Sequence, residues 1–312
     1  MILRKVFLPQ RVVWYMRFEL LFSSILAVLV WLIYVVLEMQ KITLPFSISA
    51  TLGGALAIFL GFRNNNSYSR WWEARQIWGG IVNSSRVLAR LIITFTDSHA
   101  HQANYVKDRS EAFKQSMVFR QIAWTHAMRM HLRREDNWQE IKHLLPESEF
   151  LEFIQAQNKP NYLHLLMGKR IYEAMANGTL GGFDSFQMEG QLLALANYQG
   201  SCERIKNTPL LRQYHYFTNL FLYAFMLLLP FTLIGDFNKL GIAEWMIPIS
   251  ILISFVFSTI AKVGEINEDP FENRVTDVPL TAICNTIERD LKEMLANKDL
   301  PQKVEPIDGI LW

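Results

Sequence analysis

The chain has 312 residues, 51% of them apolar, and 31 basic side chains against 29 acidic ones, a formal net charge of +2. So even a balance gives no electrostatic footprint for nucleic acid, and two cysteines are too few for a disulfide framework. Length alone would allow one large soluble domain or two small ones, so the distribution of apolar residues decides the class.

The first segment, residues 1–18, is basic through Arg4, Lys5, Arg11 and Arg17. An uncharged run follows at residues 20–37, between Glu19 and Glu38. It is too long and too far from the start for a cleaved signal peptide, and it lacks a small-residue cleavage site. A connector of residues 38–41 leads to a second uncharged run, residues 42–62, which ends at Arg63. Each run is long enough to cross ~30 Å of hydrocarbon as a helix. The second feeds straight into FRNNNSYSRWWEARQIWGG, which holds Arg63, Arg70, Arg75, Trp71, Trp72, Trp78 and three asparagines. A span entering such a polar, aromatic block suggests a pore or transport element more than an anchor.

Residues 63–215 carry helical periodicity and no convincing strand alternation. Apolar positions recur at Ile81, Leu88 and Ile92, at Met117, Ile122 and Met130, and at Leu192, Leu195 and Ile205. Probable loops fall at residues 99–101, 158–161 and 178–184, where breakers cluster. Two further uncharged runs come next, residues 216–235 and 245–261, joined by a connector with Asp236, Lys239 and Glu244. Residues 277–295 close the pattern as another helix, with Asp277 as an N-cap before Pro279.

Four uncharged runs in two closely spaced pairs predict two transmembrane hairpins. Only one lysine sits in each tight connector, Lys41 and Lys239, whereas Arg4, Lys5, Arg11, Arg17, Arg63, Arg70 and Arg75 flank the other ends. The positive-inside rule then puts both termini and the long middle segment in the cytoplasm. The expected division is a cytoplasmic segment 1–18, a hairpin 19–62, a cytoplasmic helical region 63–215, a second hairpin 216–262 and a cytoplasmic helical segment 263–312. Cys202 and Cys284 both fall in cytoplasmic parts and should stay reduced.

Small residues at Ala50, Gly54, Ala57 and Gly61 lie along one face of the second span, a pattern that lets neighbouring backbones approach. Catalytic chemistry finds no foothold. His126 and His131 are five apart and do not share a helix face for zinc. No phosphate-binding glycine loop and no nucleophile motif is present. The chain reads as no enzyme, with no metal and no cofactor.

The run FLGFRNNNSYSRWWEARQIWGG, the NTPLL stretch before the third span and EDPFENRVTDVPL after the fourth resemble the bestrophins, in particular their bacterial homologues. The resemblance covers nearly the whole chain. It implies an all-α homopentamer, four spans per subunit, with the second span lining a narrow hydrophobic neck on a central axis. It implies self-association, contact with membrane lipids, permeating monovalent ions and a place in the bacterial inner (cell) membrane.

Aligned on RWW, the neck falls at Gly54, Ile58 and Phe62. An apolar ring gates by dewetting, because an ion entering it loses water and gains no partner. Gly54 departs from the family's bulky residue, which implies a shorter neck. Without the resemblance, Ile58 and Phe62 read more simply as residues packed against other helices or lipid; the resemblance reverses that preference. Arg63, Asn64, Asn65 and Asn66 follow at the pore mouth, where they could hydrate ions or satisfy carbonyls at a helix end. Arg70, Glu73 and Arg75 read more simply as ion pairs that fix the helix. The family's second, cytoplasmic aperture maps to Leu192, with Leu193 as the near alternative, and either could equally be a core leucine. Asp269 and Asp277 match positions of the family's calcium clasp, but Arg274 stands where a carboxylate would be, so no high-affinity calcium site is expected.

The sequence reading is a pentameric channel for monovalent ions, with cations such as Na+ and K+ favoured by the bacterial resemblance. The alternatives are an anion (chloride) channel, for which Arg63 at the mouth speaks, a secondary transporter, or a membrane-anchored scaffold without a pore. A transporter predicts symmetry-related halves and ionisable groups within the spans. The two hairpins are not obvious repeats, and the runs carry no charge.

Overall fold

A computed structural model describes residues 1–3 and 13–312. Arg4, Lys5 and Arg11, used above for orientation, lie outside the described residues. Among those described, the chain is helical apart from isolated bridges that pair Ile2 and Ile307 with Ile310. It divides into two compact units. One comprises Arg4–Trp71 and Pro209–Asp269, the other Met1–Leu3, Trp72–Thr208 and Pro270–Trp312.

The first unit holds the apolar runs. Helix α1, Arg17–Trp31, ends in a wider turn, Leu32–Val36, and the chain leaves it through Glu38, whose φ of 53° is left-handed. Helix α2, Phe46–Phe95, starts just after Pro45, which is pre-set for a helix start. It does not stop at Arg63, where the apolar run ends. A change of polarity does not terminate a helix, and no proline lies between Phe46 and Phe95. The unit is completed by α7, Arg212–Lys239, and α8, Met246–Asn267; the helices numbered between belong to the second unit. Among the described residues, four helical stretches, Arg17–Val36, Gln40–Ser98, Gly182–Lys239 and Ala243–Asn267, contain segments long and apolar enough to cross a bilayer.

The core of this unit is formed by Ala27, Val30, Leu56, Leu60, Phe225, Met226, Met246 and Ala261, among others. Ser250, Ser254 and Ser258 of α8 are buried at intervals of four, so small side chains let that helix sit close to its neighbours. Ser49 and Thr232 share a buried hydroxyl–hydroxyl hydrogen bond of 2.5 Å that joins α2 to α7.

The second unit contains the rest of α2 together with α3, Lys107–Arg133; α4, Glu147–Gln155; α5, Lys159–Ala176; α6, Gly182–Asn207; and α9, Leu280–Met294. The expected loop at residues 158–161 is instead the start of α5. Asn158 caps that helix by accepting from the Asn161 N–H at 3.1 Å. The loop before α6 is shorter than the expected 178–184, because the helix already starts at Gly182; Gly178 is in the left-handed region.

Helix α3 is buried on nearly every side although it carries charges, and each buried charge is paired. Arg120 donates to both carboxylate oxygens of Glu149, at 3.0 and 2.5 Å, and Arg170 reaches the same group at 2.8 Å. Gln121 donates to Ser85 at 2.8 Å. His126 lies between two carboxylates, its Nε2 2.9 Å from Glu288 and its Nδ1 3.4 Å from Glu140. Burial opposes charging this ring, but the two carboxylates outweigh it and hold the histidine above its ordinary pKa. Both cysteines are free and buried.

Asp277 does not cap α9, which starts at Leu280 behind Pro279 with no side-chain cap. Its Oδ2 accepts from the backbone N–H groups of Glu272 at 2.7 Å and Arg274 at 3.0 Å, closing the turn between them. The chain reaches the helix through Pro279, so the aspartate is better placed to serve the preceding turn.

Candidate functional site

Helix α2 has two unlike faces within the first unit. Gly53, Leu56, Leu60, Arg63 and Ser67 are buried. Phe59 packs on Tyr214 and Phe221 of α7. A Cβ at Gly53 would sit 3.0 Å from the Phe225 ring, so this glycine permits the close approach of α2 to α7. The opposite face is uncovered. Ile58 is 63% exposed and Phe62 61% exposed, and a Cβ at Gly54 would meet no atom within 4 Å.

The small residues Ala50, Gly54, Ala57 and Gly61 are all exposed as well. They do not mediate packing within the chain. Their predicted role in close backbone approach falls inside the chain to Gly53, which the pattern of fours and threes passes over. The uncovered face thus holds the neck candidates together: Gly54, Ile58 and Phe62, four apart, followed by Asn65 and Ser69 at the same helical phase.

The mouth residues separate into two pairs. Arg63 is 0% exposed. Its Nη2 lies 2.7 Å from His215 Nδ1 and 3.4 Å from Glu268 Oε2. Asn64 donates to the Ile260 carbonyl at 3.0 Å, and a Cβ at Gly264 would collide with its side-chain oxygen. These two residues clamp α2 to α7 and α8. Asn65 and Asn66 are exposed. None of the four closes a helix end, because α2 continues beyond them. Arg70 lies 4.0 Å from Asp269, and Glu73 accepts from Arg204 at 2.6 Å, both pairs fixing local structure. Sequence reasoning missed His215 and Glu268. Both sit at helix ends, His215 at a span boundary and Glu268 at the head of the EDPFENRVTDVPL motif, and nothing in their spacing links them to Arg63.

The aperture candidates on α6 also separate. Leu192 is 4% exposed and belongs to the core, whereas Leu193 is 64% exposed. Of the calcium-clasp positions, Asp269 is partly exposed beside Arg70, and Asp277 is buried with one oxygen given to backbone N–H groups. Burial raises the Asp277 carboxyl above the usual range against those hydrogen bonds. Among the described residues, no three His, Cys, Asp or Glu side chains are grouped to hold a metal ion.

The profile of the family described as Bacterial/Fungal Bestrophin protein matches residues 3–293. A relative from Salmonella typhi, the voltage-dependent anion channel-forming protein YneE, is 34% identical over 92% of this chain and 87% of its own length. The YneE protein of Escherichia coli strain K12 is 36% identical over 85% of this chain and 81% of its own. The crystal structure of a bacterial bestrophin homologue from Klebsiella pneumoniae superposes with a TM-score of 0.79 at 31% identity, covering 90% of this chain and 99% of that one.

These relatives overturn the expected preference for cations, because they are named as anion channel-forming proteins. No side chain stood behind that preference. Apolar rings carry no sign, and the nearest charge, Arg63, is turned inward and paired.

Proposed function

This chain belongs to the bacterial/fungal bestrophin family, and from that premise we propose that it forms a homopentameric anion channel. Like its relatives it is a multi-pass membrane protein and no enzyme. In the proposed assembly α2 of each copy turns its uncovered face to a shared axis. Ile58 and Phe62 form apolar rings, and Gly54 leaves the outer end wide, so the neck is short. Asn65 and Asn66 follow, and their side-chain N–H groups offer an anion donors in place of water. Leu193, the exposed member of its pair, supplies the second constriction. The hairpins 19–62 and 216–262 lie in the bacterial inner membrane, with residues 63–215, 263–312 and both termini in the cytoplasm.

One observation carries this reading. The helix that holds Ile58 and Phe62 is fully packed on one side and bare and apolar on the other. A contiguous apolar face of that kind calls for a partner surface, lipid or a dry passage. Reversal potentials across planar bilayers under a KCl gradient test it. Unitary currents that reverse on the chloride side support the proposal. Reversal on the potassium side, saturable flux without unitary steps, or silence would overturn it.

A further inference from the structure

The contact between Arg63 and His215 has a chemical requirement. A guanidinium has only N–H donors. At 2.7 Å from it, His215 Nδ1 must present its lone pair, so the ring is neutral and its proton sits on Nε2. That nitrogen faces the Asn219 side-chain amide at 3.0 Å, and an amide can turn its oxygen to accept the proton. Protonation would place an N–H on Nδ1, pointing at a cation.

Arg63 has little else to hold. Its Nε and Nη1 are buried and have no hydrogen-bond partner among the described residues. Its other contact is Glu268 at 3.4 Å, longer than a good charge-assisted bond. From α2, Arg63 touches the ring, and Glu268 just beyond α8 lies against the same guanidinium nitrogen; Arg70 pairs with Asp269 and Lys262 with Glu265, and Arg212 stands one turn before His215 on α7 at an exposed position. From α7 itself come Asn219, which is uncharged, and Tyr214, whose ring lies against Phe59. Glu268 and His215 share Arg63 Nη2, so an imidazolium at 215 would compete with Arg63 for that carboxylate. His215 is only half-buried, so protons can reach it.

We propose that Arg63 is a positioning residue for the neck and that His215 makes its hold proton-sensitive. Arg63 follows Phe62 directly on the same helical turn. While His215 is neutral, the guanidinium pins that turn to α7 and α8 and fixes the Phe62 side chain on the opposite face. When His215 takes up a proton, the pin loses its shorter contact and the turn bearing Phe62 is released. Acid is the signal, because only protonation replaces the Nδ1 lone pair with an N–H that faces a cation. This inference rests on the channel reading above.

The experiment compares wild type with His215→Asn in planar bilayers at about pH 7.5 and about pH 5.5. Asparagine keeps an acceptor near the place of Nδ1 and cannot become a cation. Wild type should gain open probability on acidification by about three- to tenfold, the scale of one hydrogen bond. His215→Asn should conduct like wild type at the higher pH and lose that gain. A wild type indifferent to pH, or a variant with the full acid response, would overturn the inference while leaving the channel reading intact. Hydrogen–deuterium exchange of residues 58–66 gives a second readout that needs no current. At about pH 5.5 this segment should exchange faster in wild type than in His215→Asn, and equal rates would also count against the proposal.

Discussion

The two units bury their helices by opposite means. In the unit of Arg4–Trp71 and Pro209–Asp269, α8 packs through a serine stripe, α2 through a glycine and leucines, and much of the remaining apolar surface stays uncovered. In the other unit, α3 lies at the centre with Arg120, His126 and Arg129 buried along it, each facing a carboxylate. The contrast teaches how to read exposure in each. In the first unit a bare apolar residue is a candidate for lipid, a neighbouring copy or a passage, and its loss should cost little fold. In the second, a charged residue is structural, and its loss should cost a great deal.

The largest effect should come from breaking the buried ion network. Glu149→Ala strands the buried Arg120, whereas Arg170 keeps Glu173 at 2.7 Å, and loss of one partner from a buried pair costs ~3–5 kcal/mol. Thermal unfolding in detergent should show a steep drop in melting temperature, and an unchanged curve would erase the contrast between the units.

Leu192→Ala should destabilise next, by about 2–5 kcal/mol for a buried leucine. Leu193→Ala should stay within about 0.5 kcal/mol, as exposed substitutions do, yet alter conductance. If both variants melt alike, Leu193 is not the free member of the pair.

On α2 the same logic predicts that Ile58→Ala and Phe62→Ala leave stability nearly intact. Each should raise conductance or open probability by up to about tenfold by widening a dry constriction. Unchanged currents in both would remove them from the neck.

A smaller effect is pH-dependent. The folded pKa of His126 is raised, so its contribution to stability is complete below an ordinary histidine value of ~6.5 and is lost as pH rises through the raised value. Glu140 and Glu288 are held down to about 2. Hydrogen bonding to His126 leads for Glu140; for Glu288, burial is outweighed by His126 and Lys292. Their contribution is present above the ordinary carboxylate range and fades as pH falls toward about 2. Melting temperature should therefore decline on both sides of a mildly acidic optimum, and His126→Gln should flatten the alkaline limb. The smallest expected effect is that of micromolar calcium on the currents, which should be none; clear activation would show that Asp269 and Asp277 still form a working clasp.

The spans were legible because charge is excluded from them, and solvation by lipid leaves no other choice. The lower end of the second span was not, since Arg63 marks where the apolar run stops and not where the helix does. That Gly54, Ile58 and Phe62 share one face was also readable, because residues four apart do so whatever covers them. The partners of Arg63 were hidden, as contacts between residues 63, 215 and 268 are set by packing and not by periodicity. The choice between Leu192 and Leu193 needed the helix phase to within one residue, which an α6 sequence with apolar residues on several sides does not fix. Asp277 carried a capping signal that was real but belonged to the turn before Pro279.

A channel of this build requires that the uncovered face of α2 meet an aqueous ion path. Both native cysteines are buried, so a cysteine placed at Ile58 would be the main target of a water-soluble, charged thiosulfonate reagent, which forms a mixed disulfide and releases sulfinate. Macroscopic current through Ile58→Cys channels should fall progressively as the reagent is applied, and a reducing agent should restore it. A cysteine shown by mass measurement to be modified while the current is untouched, or one that only a lipid-soluble reagent can reach, would contradict the account.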